Sequence, residues 1–230
     1  MAKLIELTAA DGFKFPVYQA QPDGIARGAI VVLQEIFGVN PHIRAVVEGY
    51  AAQGYLALAP ATFHRVKPGV ELGYMPDDIT AGVALKAAVE ALPRPGVMQD
   101  IQATLDYAAR SVASGKVGVV GYCWGGLLTW RAACTLSGVS AAVPYYGGGM
   151  TQPNEMACTP LCPVLAHFGD HDSSIPMAGI QAFERAQTGV EVQIYLAGHG
   201  FNCDHRSAFD ATAAALARER TLAFFARHVG

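Results

Sequence analysis

Three side chains that together can perform acyl transfer stand in turn-like settings along this chain. They are Cys123 in Gly121-Tyr122-Cys123-Trp124-Gly125-Gly126, Asp172 in Gly169-Asp170-His171-Asp172, and His199 in Gly198-His199-Gly200. A thiol attacks as its thiolate. A histidine can take the thiol proton and later return one to a leaving group, and a carboxylate can fix the tautomer of that histidine and stabilise its cation. A thiolate suits acyl groups whose leaving group is itself good, such as enol lactones, aryl esters and thioesters, and handles ordinary amides poorly. Glu35, in Gln34-Glu35-Ile36-Phe37-Gly38-Val39-Asn40, is a fourth candidate. Beside Ile36 and Phe37 its carboxylate is costly to bury unless paired. Near the thiol it would serve as a base or as the group that governs thiol ionisation; its plain alternative is a solvated loop glutamate.

Chemistry of this kind needs strands that end in tight turns. Lys116–Val120 is short, apolar and β-branched, and residues 127–134 read as a helix. The hexapeptide around Cys123 is therefore a strand, a sharp turn and a helix. That is the setting of the G-x-S-x-G nucleophile elbow, here with Cys for Ser. The glycines admit the turn because they lack Cβ, and the N-terminus of the following helix favours a thiolate. The competing reading is an inert cysteine in a glycine-rich turn.

The remaining elements follow from the same signals. Residues 3–8 and 13–19 form a hairpin around Asp11-Gly12. The apolar run 28–33 is a strand buried on both faces. Pro41 opens a helix over 41–53, closed by Gly54, and 55–59 is a strand stopped by Pro60. Residues 61–76 are irregular, and Asp77 or Asp78 caps a helix through Val89. Val97, Ile101, Leu105 and Ala108 mark a helix over 96–112. After the strand at 116–120 and the elbow, a helix runs to about 136 and a strand follows over 139–146. Residues 150–161 form a loop; then come strand 162–168, helix 177–187, strand 190–196 and helix 206–227. Strands alternating with helices predict a mostly parallel, doubly wound α/β sheet with flanking helices, in one domain over 1–230.

In such a sheet, sites form at the C-terminal ends of strands. Glu35, Cys123, the Asp170–Asp172 loop and His199 all fall there. Nucleophile, acid, histidine is the chain order of α/β-hydrolase triads. The acid is placed third after its glycine, which selects Asp172 and leaves Asp170 as a turn cap. His42, His64, His205 and His228 are expected at the surface. His167, His171 and Asp170 fit no standard zinc spacing. Trp124 and Trp130 are expected as pocket wall and core.

The bulk properties set further bounds. The 230 residues are 52% hydrophobic and 15% charged with a net charge of −3, which suits a large core and argues against nucleic acid or an anionic membrane as partner. Five cysteines, an odd number in a chain of this size, argue against a disulfide framework. Without an apolar run of signal-peptide or membrane-span type, a reducing cytoplasm is expected.

Taken together, five ordered motifs resemble the dienelactone hydrolase family over nearly the whole chain. They are the Gln34–Asn40 loop, the Gly121–Gly126 elbow, Tyr145-Tyr146-Gly147, Gly169–Asp172 and Gly198-His199-Gly200-Phe201. The resemblance implies an α/β-hydrolase fold and a carboxymethylenebutenolidase-type hydrolase of aromatic-compound catabolism. It implies Cys123, His199 and Asp172 as catalytic triad, with Glu35 activating the thiol when substrate arrives. It further implies an oxyanion hole from the N–H groups of Ile36 and Trp124, Tyr145 in the pocket wall, no cofactor or metal, and a monomer, with a homodimer as the alternative. One departure stands out. Family members of the best-studied type bind a substrate carboxylate through two arginines, one in a region matching 77–84, where this chain has none, and one at the position of Cys203. Arg206 or Arg65 could substitute; otherwise the substrate is a non-carboxylated ester or thioester. Two other readings compete: a non-catalytic binding protein of the same fold, which would not need the intact Cys, Asp, His order, and a thiol redox protein, which would not need Asp172 and His199.

Overall fold

The computed structural model describes residues 2–230. The chain runs β1 (Ala2–Thr8), β2 (Lys14–Ala20), β3 (Ala29–Leu33), α1 (Pro41–Ala52), β4 (Leu56–Pro60), α2 (Pro76–Glu90), α3 (Met98–Ser111), β5 (Val117–Tyr122), α4 (Trp124–Thr135), β6 (Val139–Tyr145), α5 (Pro153–Met156), β7 (Leu165–Gly169), α6 (Met177–Ala186), β8 (Glu191–Tyr195) and α7 (Ala211–His228). The strands form one sheet in the order β1-β2-β4-β3-β5-β6-β7-β8. β1 and β2 join antiparallel at one edge and every pair from β4 to β8 is parallel.

Every residue of β3, β4 and β5 is buried, as expected for strands covered by helices on both faces. Helix α3 turns Ile101, Leu105 and Ala108 inward, the face its periodicity predicts. Asp100 lies on the same buried side, where Arg65 grips both its oxygens at 2.6 and 2.8 Å. Arg65 also donates to Asp11 at 2.8 and 3.1 Å, so this arginine ties the first hairpin to α3.

Some boundaries differ from the sequence reading. Helix α7 begins at Ala211 rather than near 206, because Asp210 is its N-cap and accepts from Ala213 N at 2.8 Å. Asp78 sits at the third position of α2 rather than ahead of it, and its carboxylate accepts from Met75 N. The segment 150–161 holds the short helix α5, whose Glu155 is buried against Arg131. Strand β7 starts at Leu165; before it only Val164 bridges, to Ala142.

Candidate active site

The turn after β5 forces Cys123 into φ 56°, ψ −117°, a region that non-glycine residues rarely occupy. The glycines around it let three backbones converge. A Cβ on Gly121 would lie 2.1 Å from Gly125 O, and one on Gly125 would lie 2.3 Å from Leu33 O and 2.5 Å from Gln34 O. The first turn of α4 is thereby pressed against the end of β3, where the Glu35 loop begins. Gly126 N and Leu127 N donate to Cys123 O at 3.0 and 3.3 Å, and Cys123 N donates to Tyr145 O at 3.1 Å. The half-buried thiol sits at the positive end of the α4 dipole.

Neighbouring strands β7 and β8 bring Asp172 to His199. Asp172 Oδ2 meets His199 Nδ1 at 2.7 Å, while Oδ1 accepts from Ser174 N at 2.8 Å and Ile175 N at 3.2 Å. With Nδ1 on the carboxylate, Nε2 is the ring nitrogen left to serve Cys123. Burial pushes His199 down, but the charge of Cys123 and the hydrogen bond to Asp172 outweigh it and raise the imidazole to about 10. Asp170 accepts from Ala197 N at 3.2 Å, a loop-closing role.

Glu35 is 1% exposed, and Arg206 Nη1 donates to its Oε1 at 2.9 Å. The buried carboxylate is therefore paired, as the cost of burial demands. Gly200, at φ 85°, makes room for this arginine, since a Cβ there would lie 2.5 Å from Arg206 Nη1. Burial lowers the Arg206 pKa, and the charges of Glu35 and then Cys123 more than offset that. Thus Arg206 and Arg65, the two candidates for a substrate carboxylate, are both engaged by carboxylates of the chain itself.

The other residues singled out in the sequence fall as follows. Tyr145 is buried, with its hydroxyl 2.6 Å from Thr221 Oγ1. Tyr146 is the tyrosine that faces His199, with ring centroids 5.2 Å apart. It has φ 35°, donates its N–H to His167 O at 2.7 Å and keeps a buried hydroxyl without a partner. The alternation of side chains along β6 and into the turn separates the two tyrosines, and that parity is the signal that distinguishes them. Trp124 stacks on Phe63 at 5.1 Å, donates to Glu90 and lines a cavity of 790 Å³ whose lining does not include Cys123. Trp130 is core. Ile36 is 9% exposed, and among the described residues neither its N–H nor that of Trp124 donates to another backbone group. His42 is a correction: it is buried at the start of α1, not at the surface, and its Nδ1 lies 3.1 Å from Asp204 Oδ1. His64 and His228 are half-buried rather than exposed. His167 is buried between Tyr195 and Thr221, and burial lowers it to about 3.

The sheet order, the helices on both faces and the residues gathered at the strand ends define an α/β hydrolase. Within that class the chain belongs to the dienelactone hydrolase family, whose profile matches residues 15–229. It is 34% identical over 227 residues to the carboxymethylenebutenolidase of Pseudomonas putida, covering 96% of this chain and 95% of that one. The crystal structure named "Putative Dienelactone Hydrolase" from Klebsiella pneumoniae subsp. pneumoniae superposes with a TM-score of 0.84 at 30% identity, over 99% of both chains. A dienelactone hydrolase-like promiscuous phosphotriesterase from metagenomic libraries shares the fold, with a TM-score of 0.81 at 21% identity over 100% of this chain and 99% of that one. The chain is an enzyme that hydrolyses ester or lactone bonds of small molecules. Among its described residues no helix is long and apolar enough to cross a membrane.

Proposed function

We propose that the enzyme cleaves activated esters or enol lactones through a thioester formed on Cys123. The observation that carries this reading is the contact of Asp172 Oδ2 with His199 Nδ1 at 2.7 Å, which leaves Nε2 free to serve Cys123. His199 Nε2 takes the thiol proton, and the thiolate attacks the acyl carbon. The N–H groups of Ile36 and Trp124 receive the developing oxyanion. Collapse expels the alcohol or enol, which receives its proton from His199. Water then enters with His199 as base, adds to the thioester and releases the carboxylic acid and the Cys123 thiol. Asp172 holds the imidazole in place and stabilises its cation throughout. Glu35, held by Arg206, acts as an auxiliary base that draws on the thiol proton as substrate arrives.

The pairing of Arg206 with Glu35 and of Arg65 with Asp11 and Asp100 favours a refinement: the substrate is an uncharged ester, lactone or thioester rather than a carboxylated dienelactone. The five free cysteines agree with work in a reducing cytoplasm, and the family with a place in aromatic-compound breakdown, as a monomer.

The test is rapid quenching of the enzyme with p-nitrophenyl acetate, followed by peptide mass analysis. One acetyl group on the Cys123 peptide is expected in the wild type, forming far more slowly in His199→Ala, which lacks the base that takes the thiol proton. Steady turnover with no adduct on that peptide in either protein overturns the mechanism.

A further inference from the structure

Beside the catalytic thiol and imidazole lies a second group, which shares Glu35 with the hydrolytic site and adds two residues that hydrolysis does not use. Glu35, His42 and Cys203 are all buried, and one ligand atom from each lies within 4.8 Å of the other two. The polar atoms are ready to bind. Glu35 Oε1 is held by Arg206, but Oε2 has no partner. His42 Nδ1 faces Asp204, and Nε2 is buried with no partner either. Native structures rarely leave two such atoms unsatisfied side by side.

We propose that Glu35 Oε2, His42 Nε2 and Cys203 Sγ form a binding site for one divalent transition-metal ion of the zinc class. Oxygen, nitrogen and sulfur donors together suit zinc or cobalt and disfavour magnesium and calcium. Metal bonds of about 2.0–2.3 Å need only a small inward movement of three side chains already this close. The contact of His42 Nδ1 with Asp204 Oδ1 at 3.1 Å is the carboxylate–histidine arrangement that orients a metal-binding imidazole. Binding displaces the Cys203 proton to solvent, so the thiolate and Glu35 together balance the two charges of the ion, and water fills the fourth position.

The surroundings supply a way in. His42, Asp204 and His205 form an overlapping group, and the side chains of Asp204 and His205 are 65% and 49% exposed. An ion meeting that outer group needs only to pass His42 to reach the inner one. Once bound, it draws on the same Glu35 carboxylate that Arg206 holds and so slows thiol activation. That consequence rests on the hydrolytic reading above; the binding of the ion does not.

The experiment is titration of the full chain with Co²⁺, read by thiolate-to-cobalt charge-transfer absorption, with no substrate present. Cys123→Ala is expected to take up one equivalent with the charge-transfer band, and added Zn²⁺ to bleach it. Cys203→Ala should lose the band. Asp204→Asn, an exposed change that leaves the core untouched, should weaken binding about 10–100-fold. A band that survives Cys203→Ala, or one that vanishes in Cys123→Ala because the ion sits on the catalytic thiol, overturns the proposal. So does the absence of cobalt uptake by the wild-type chain.

Discussion

Arg206 Nη1 holds Glu35 Oε1 at 2.9 Å across 171 residues of chain, and the loop that carries the arginine is the loop that carries His199. One loop therefore positions the imidazole and neutralises the buried carboxylate. Arg206→Ala should leave Glu35 buried and unpaired, with a loss of about 2–3 kcal/mol in urea denaturation. Adding Glu35→Gln to that variant should restore much of the loss, because an uncharged amide no longer needs the guanidinium. If the double variant is less stable than Arg206→Ala, the pairing is not what makes Glu35 tolerable.

The backbone at Cys123 is strained, and the strain belongs to the site. Cys123→Gly should be about 1–2 kcal/mol more stable than Cys123→Ala, since only glycine occupies this conformation freely. Both should lack hydrolysis of p-nitrophenyl acetate, whereas Cys123→Ser should keep a slow rate. Equal urea midpoints for the glycine and alanine variants would show a relaxed turn.

His199 makes a pH-dependent contribution of definite sign. Its imidazole is raised from 6.5 to about 10 in the folded chain. The folded state thus binds the proton more tightly than the unfolded one, and the resulting stability is fully present below about pH 6.5 and lost as pH rises through about 10. The difference in urea midpoint between wild type and His199→Gln should shrink steadily across that interval. A difference that widens toward alkaline pH contradicts the raised imidazole.

Engagement of both arginines bears on substrate choice. Across matched pairs of aryl esters and enol lactones with and without a carboxylate, kcat/KM should show no advantage for the carboxylated member. A tenfold or larger preference for it, abolished by Arg206→Ala, would mean that Arg206 leaves Glu35 to bind substrate.

Much of this architecture was readable from local signals. The apolar runs of β3 and β5, Pro41 at the start of α1 and the glycines of the Cys123 turn each dictate their own conformation, and chain order then puts the reactive residues at strand ends. What escaped depends on distant partners. His42 reads as a surface residue because its burial requires the loop after β8 to fold over the start of α1. Arg206 as the partner of Glu35 is invisible for the same reason. The early start assigned to α7 reflects helix-forming residues around 206–210 that tertiary contacts hold as loop until Asp210 caps the helix. Tyr145 and Tyr146 differ only in parity, which a sequence shows once the end of β6 is fixed.

Strand β5 has further significance. It is buried along its whole length between β3 and β6, while β1 at the sheet's edge is largely exposed. Edges open first when a protein breathes, and central strands exchange their amides only on global opening. The Cys123 thiol is thus mounted on the part of the molecule that local unfolding reaches last. Fluctuations that loosen the first hairpin leave the reaction centre assembled, and the lifetime of the catalyst becomes that of the whole fold.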